Sequence, residues 1–291
     1  MTGSDRLAVR KTYKLFVGGK FPRSESGRSY VVNDAKGRFL ANAAQASRKD
    51  ARDAVVSART AFPGWSAASP YNRGQVLYRV AEVLEGRRSQ FAAEVAAVEG
   101  MADRTADAVV TAAIDRWVWY AGWSDKLSQV LGGANAVAGP FFNFSVPEPT
   151  GVVAVLAPQR SSLLGLVSVV APAIVGGSTV VAVASQDRPL PAVTLSEVLA
   201  TSDVPGGVVN VLTGITAELA PWLAAHCDVN AIDLCGAPDD LHADLERRAA
   251  ENVKRVVRTP LGGEPDWEPE PALRRISHFV ETKTVWHPMG V

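Results

Sequence analysis

The sequence predicts an α/β chain in which a parallel sheet, covered by helices on both faces, follows a series of helical segments. Two observations predict it. Between Gly151 and Val257, short apolar runs rich in β-branched residues alternate with helix-length segments, as strands buried on both faces require. Upstream of Gly151, apolar residues recur instead at helical spacing.

Taken in order, Lys14 to Val31 reads as a hairpin, with Leu15-Phe16-Val17 as a strand, Gly18-Gly19 as the turn and Lys20-Phe21 as the return. Ser47 opens a helix whose apolar positions Ala51, Ala54, Val55 and Ala58 share one face, and Pro63-Gly64 is expected to end it. Ser69-Pro70 starts a second helix, with Val76, Leu77, Val80, Val83 and Leu84 on its inner side. A third helical region runs from about Ala102 through Leu131. Its Trp117, Trp119, Tyr120 and Trp123 read as core, because only Arg116 and Lys126 lie near them and a nucleic-acid stacking platform needs more basic neighbours.

From Gly151 the order is strand 152–156, helix from Leu163, strand 179–183, helix from Pro191 and strand 208–212, which is βαβαβ. A helix near 217–225, a short strand 231–234 and a long helix from Pro238 to about Arg255 continue it. The whole predicts a Rossmann-type parallel sheet with helices on both faces. The uncharged stretch Ser161 to Ser185 exceeds the roughly 20 residues that span a bilayer. However, Pro172, Gly176-Gly177 and the β-branched restart at Thr179 divide it into a helix and a strand.

With 291 residues, 47% hydrophobic, and 30 Lys+Arg against 30 Asp+Glu, the composition is that of a globular chain with no electrostatic reason to bind nucleic acid or an anionic membrane. Cys227 and Cys235 form no disulfide framework, which fits a reducing cytoplasm, and the polar segment Met1 to Arg10 lacks the apolar core of a secretory signal. His226, His242, His278 and His287 share no metal-ligand spacing with the cysteines, so no metal site is expected.

Several ordered segments together carry a resemblance: Leu15-Phe16-Val17-Gly18-Gly19, Ala61-Phe62-Pro63-Gly64-Trp65-Ser66, Tyr120 to Lys126, Pro149-Thr150-Gly151-Val152-Val153, Pro205 to Gly214, and Ala250 to Val256. In their order and spacing they resemble the aldehyde dehydrogenase family over about residues 13–263 and 272–287. The resemblance implies an N-terminal hairpin and helices over 1–128, a β-arm segment over 129–150 and a Rossmann-type nucleotide-binding-like domain over 151–263. It further implies an extended Pro/Glu-rich linker over 264–271 and a C-terminal β-arm for oligomerisation over 272–291.

The family places an oxyanion-stabilising Asn after a Pro-Trp pair, where this chain has Pro158-Gln159-Arg160-Ser161. A guanidinium cannot simply replace a positioned amide, so Arg160 is expected to be solvated or to meet an acid. The family's Lys-Pro-Ser-Glu-like ribose turn is matched by Val183-Ala184-Ser185-Gln186, and its phosphate turn by Leu234-Cys235-Gly236-Ala237-Pro238-Asp239-Asp240-Leu241, where Ala237 and Leu241 stand at the hydroxyl and second-glycine positions. Carried over residue by residue, the cofactor-binding candidates are Pro158, Ser185, Gln186 and Gly236. NAD or NADP grip is expected to be weakened, and an ordinary capped helix is favoured at 238 onward.

The family's chemistry needs a cysteine thiolate and a glutamate base. The stretch Arg258-Thr259-Pro260-Leu261 before Gly262-Gly263 holds no glutamate, Glu264 is displaced, and no cysteine follows Cys235. No catalytic residue is therefore assigned. The resemblance is to a truncated form without the thiol-bearing domain, similar to the shortened second copy of tandem aldehyde dehydrogenases. The expectation is a noncatalytic partner of a full-length aldehyde dehydrogenase, or self-association through the C-terminal strand. The alternative is a residual NAD(P)-binding oxidoreductase or nucleotide sensor.

Overall fold

The fold follows from one sheet whose strands have no polar face. In a computed structural model, which describes residues 11–259 and 263–290, β5 (Val152–Leu156), β6 (Thr179–Val183), β7 (Val209–Leu212) and β8 (Ala231–Asp233) are buried at every position. With β9 (Arg255–Val257) they form a five-stranded parallel sheet in the order β7-β6-β5-β8-β9. Strands buried on both faces need helices on both sides, and α6 (Leu164–Val175) supplies a wholly buried one. The uncharged stretch 161–185 is thus a buried helix and a central strand. Among the described residues no helix is long and apolar enough to cross a membrane.

Ahead of the sheet lie β1 (Ser29–Asn33), β2 (Phe39–Ala44), α1 (Arg48–Ala67), α2 (Pro70–Glu85), α3 (Arg88–Glu99), α4 (Asp103–Trp123), α5 (Leu127–Val130), β3 (Gly133–Asn135) and β4 (Phe141–Pro149). The expected tight turn is present: Val17 and Lys20 pair across Gly18 and Gly19, whose φ angles of 62° and 77° suit glycine. Phe16 then pairs antiparallel with Val211, covering the outer edge of β7. The strand after the hairpin is not its return arm, since β1 instead pairs antiparallel with β2.

Ser47 caps α1 in a reciprocal capping box with Asp50. The helix does not stop at Pro63, contrary to the sequence reading. Trp65 anchors the last turn: it is buried and its Nε1 donates to Ile174 O at 2.9 Å, so tertiary packing outweighs the missing amide. In α4, Trp117 and Tyr120 are fully buried, as expected of core.

Between the central strands run α7 (Leu190–Ala200) and α8 (Thr216–Ala225), and a 3-10 turn at 239–241 leads into α9 (His242–Ala250). Here the long helix expected to about Arg255 is corrected. Val253 turns left-handed at φ 54°, Lys254 N closes the break on Ala249 O at 3.0 Å, and the chain enters β9 beside β8.

Beyond the sheet, α10 (Leu273–Ser277) leads into β10 (Val280–Pro288), which pairs antiparallel with β4 over nine residues, Val280 opposite Pro149 through Pro288 opposite Phe141. The arm is a three-stranded sheet in the order β10-β4-β3. Residues 264–271 are pinned rather than free: Trp267 is buried, and Arg116 Nη2 donates to Trp267 O at 2.9 Å and Pro269 O at 2.8 Å.

Arg275 makes the second fastening. It donates to Ser168 O at 3.2 Å, lies 5.1 Å from the Trp267 ring and pairs with Asp233 at 3.3 Å. Asp233 is completely buried, and burial raises its pKa from the ordinary value against the pull of Arg275. A raised folded-state pKa means that the associated stability is fully present below about 3.9, the unfolded value, and is lost as pH rises through the folded value. Arg275→Ala, which removes the cation paired with the buried carboxyl of Asp233, is expected to cost about 3–5 kcal/mol in urea denaturation at pH 7. The cost should shrink as pH is lowered, because protonation of Asp233 removes the charge that needs a partner.

Candidate functional site

In an open parallel sheet, the crevice outside the strands' carboxyl ends forms where the strand order reverses. Here that point lies between β5 and β8, and a cleft of about 460 Å³ opens there, lined by residues that include Gln159, Arg160, Gln186, Gly236, Asp239 and Glu264. Two of the four sequence candidates, Gln186 and Gly236, face it, and two do not line it. Pro158 is buried and its ring sits where a side chain on Gly165 would go, with Cβ and Cγ both 2.9 Å from that position. Ser185 is buried beneath the rim, donating to Gln159 O at 2.9 Å and accepting from Arg188 N at 3.2 Å.

Gly236 is required by close approach. Its N–H donates to Leu156 O at 2.8 Å, and a Cβ there would stand 1.7 Å from Ala157 O. The turn thus fastens the end of β8 to the end of β5.

Sequence reasoning did not foresee the role of Gln159. Its Nε2 donates to Ala157 O at 2.7 Å, while its Oε1 accepts from Gln186 N at 2.9 Å. One side chain thereby ties the turns after β5 and β6 together. No sequence signal marks it, because the role depends on two turns meeting in space.

Glu264 is the other unforeseen feature. Its carboxylate accepts from the backbone N–H groups of Gln159, of Arg160 at 2.6 Å and of Ser161 at 3.3 Å. Converging amides of this kind hold an anion, and here the anion belongs to the chain itself. Arg160 is exposed and lines the cleft, and Arg188 Nη1 donates to its carbonyl at 2.5 Å.

The expected capped helix is entered differently. Pro238 leads into the 3-10 turn, no side chain caps α9, and His242 Nε2 lies 3.3 Å from Ala237 O. Pro238 has no N–H to offer an anion, and Asp239 adds a carboxylate. Asp187, Asp239 and Glu264 line the cleft against one guanidinium, that of Arg160. A dinucleotide's diphosphate needs free amides and positive potential, so these residues do not fit it.

Cys235 lies at the cleft but is 5% exposed, and burial, with the negative charge of Asp233, pushes its thiol up to about 12. A thiol held there is protonated at neutral pH and is a poor nucleophile. No group of three or more His, Cys, Asp and Glu among the described residues could hold a metal ion. Pro260, Leu261 and Gly262, part of the stretch where the base glutamate was sought, lie outside the described residues.

Comparison with known proteins places the chain. The sequence model described as "Aldehyde dehydrogenase family" matches residues 21–265. The chain is 31% identical over 252 residues to an aldehyde dehydrogenase of Alternaria alternata, covering 86% of this chain and 50% of that protein. It is 31% identical over 271 residues to the cytosolic 10-formyltetrahydrofolate dehydrogenase of Mus musculus, covering 89% of this chain and 29% of that one. Among solved structures, an NAD-dependent aldehyde dehydrogenase from Sinorhizobium meliloti is similar with a TM-score of 0.81 at 27% identity, covering 87% of this chain and 51% of that one. PnpE from Pseudomonas sp. WBC-3 gives a TM-score of 0.80 at 27% identity, covering 84% of this chain and 50% of that one, and a PnpE structure in complex with nicotinamide adenine dinucleotide gives the same values. The chain thus spans about half the length, or less, of the relatives it matches.

Two outcomes are expected of this site. Gly236→Ala should abolish soluble expression or lower the unfolding midpoint sharply, because the new Cβ meets backbone rather than a movable side chain. In the native protein at pH 8, Cys235 should resist iodoacetamide and react once the chain is unfolded, as read by mass spectrometry of peptides.

Proposed function

Because the chain belongs to the aldehyde dehydrogenase family, we propose that it serves as a noncatalytic partner subunit of a complete NAD(P)-dependent aldehyde dehydrogenase, shaping that enzyme's assembly or stability. The observation that carries the reading is the path of the chain after β9. Residues 258–279 alone separate the nucleotide-binding-like sheet from β10, and β10 closes the arm beside β4. That path holds no cysteine, and the carboxylate of Glu264 on it is bound to backbone amides, which supports a reading without the family's thiol and base.

What the fold keeps supports a role in association. In β10-β4-β3, β10 is an edge, and a nine-residue edge strand offers backbone groups to another chain. Trp286, 58% exposed, packs edge-on against Phe141 with ring centroids 5.8 Å apart, and Phe142 is exposed on the same arm. Large aromatic groups on an open strand suit a partner interface.

The alternative, a residual NAD(P)-binding oxidoreductase or nucleotide sensor, draws support from Gln186 and Gly236 lining the cleft. The Glu264 carboxylate on the amides after β5 weighs against it. Calorimetric binding of NAD or NADP by the isolated chain at millimolar ligand would restore that alternative.

Native mass spectrometry of the tagged chain drawn gently from its own cells is expected to show a full-length aldehyde dehydrogenase in fixed ratio with it. Adding the chain to that enzyme should change its assembly state or its rate of thermal inactivation. Recovery of the chain alone, as monomer or homo-oligomer, together with unchanged enzyme stability, would sink the reading.

A further inference from the structure

Away from the cleft, residues 11–14, the turn at 23–29 and β2 border another cavity, of about 340 Å³. Backbone pairing builds it. Tyr13 bridges parallel to Ala43, and Ala44 N donates to Tyr13 O at 2.9 Å. Leu15 N then donates to Pro22 O at 3.1 Å, which brings Lys14 and Arg23 to neighbouring positions at the open end of the glycine turn. Gly27 N donates to Ser24 O in the next turn, and Gln45 N, at the end of β2, donates to Arg28 O, both at 3.0 Å.

The charge of this cavity is of one sign. Lys11, Lys14, Arg23 and Arg28 all line it, and none of the described residues lining it is acidic. The cleft at the sheet's carboxyl ends has the opposite balance, with three carboxylates against one guanidinium. Two of the four cations here are already committed, Lys11 to Glu197 at 2.8 Å and Arg28 to Glu218 at 3.2 Å. Lys14 and Arg23 have no hydrogen-bond or ion-pair partner among the described residues.

The acids beside the turn are spent elsewhere. Glu25 accepts from Ser47 Oγ at 2.8 Å and pairs with Lys49 at 3.5 Å. Asp50 accepts from Ser24 Oγ at 2.7 Å and from Ser47 N at 2.8 Å. Lys14 is half-buried, so the chain partly strips it of water and gives it no counter-charge in return. A concave surface lined by one sign of charge concentrates ions of the other.

We propose that this cavity is a binding site for a small organic dianion, a phosphate monoester or a dicarboxylate, with Lys14 and Arg23 as its principal cations. The planar fork of Arg23 matches two oxygens of a carboxylate or phosphate, and the Lys14 ammonium supplies a second point of charge. Lys11 and Arg28 add positive potential to the same space. Ala41 and Ala43 give the carbon body of the ligand an apolar wall, and the volume falls within the range of small-molecule sites. Arg23 is exposed, so the ligand enters from solvent. The inference does not depend on the partner-subunit reading, since every residue it uses lies on this chain and outside the arm.

The test uses the full chain and two probes, phenyl phosphate and glutarate, at pH 8 and low ionic strength, where both are dianions. Calorimetry reads the affinity, and acetylation by neutral N-succinimidyl acetate, followed by mass spectrometry of peptides, locates the site. Saturable binding of at least one probe at millimolar concentration is expected, with Lys14 protected and Lys36, exposed between β1 and β2, left reactive. Lys14→Gln and Arg23→Gln should each weaken binding about tenfold, while Lys36→Gln leaves it unchanged. Neither Lys14 nor Arg23 has a partner to lose, so both variants should keep the parent's unfolding midpoint and remain folded for the measurement. Tighter binding of phenyl phosphate assigns the site to phosphate monoesters, and tighter binding of glutarate assigns it to dicarboxylates. Absence of saturable binding for both probes, an affinity unchanged in both cavity variants, or equal protection of Lys14 and Lys36 would each overturn the proposal.

Discussion

The position of everything after the sheet depends on two guanidinium groups, that of Arg116, which is buried, and that of Arg275, which is half-buried. A chain leaving β9 must return across the helical layer to reach β4, and its carbonyl groups must find donors on the way. Arg116 provides them for Trp267 and Pro269, and its Nη1 also donates to Ser168 Oγ on α6 at 2.6 Å. Arg275 binds the same serine's carbonyl and reaches Asp233 at the end of β8. One wholly buried helix is therefore held between the sheet and the returning chain, with both arginines gripping its single serine. Arginine suits the task because its planar fork serves several acceptors at once.

Much of this order was legible in the residues. Runs rich in β-branched residues marked β5, β6 and β7, and Ser47 and Ser69 marked helix starts through their side-chain oxygens. What misled was local chemistry overruled from a distance. Pro63 looked like an end because nothing local shows that Trp65 is anchored on α6, and α9 looked longer because nothing local shows that β8 needs a parallel neighbour. α3 drew no reading, although Phe91, Val95 and Val98 carry helical spacing and are its buried residues.

The cleft was legible only in outline. The matching turns pointed to Gln186 and Gly236, which face it, and to Pro158 and Ser185, which serve the packing and hydrogen bonding behind it. Gln159 and Glu264 escaped notice because their roles arise from long-range closure: the carboxylate meets amides more than a hundred residues earlier in the chain. A segment that reads as a polar linker thus supplies the group that fills the anion-holding turn. Its charge does in this chain what a bound anion would do, satisfying the turn from within.

Strand β10 runs for nine residues in unbroken register with β4, and its charges are already paired, Lys283 with Glu148 on β4 and Glu281 with Arg255 on β9. Proteins usually blunt such an edge with a bulge, an inward charge or a covering loop. If the proposed partner closes that edge, chain made in excess of the partner would leave backbone groups uncovered and able to pair with copies of themselves, and the ratio of the two polypeptides in a living cell would then set how much of this one stays dispersed.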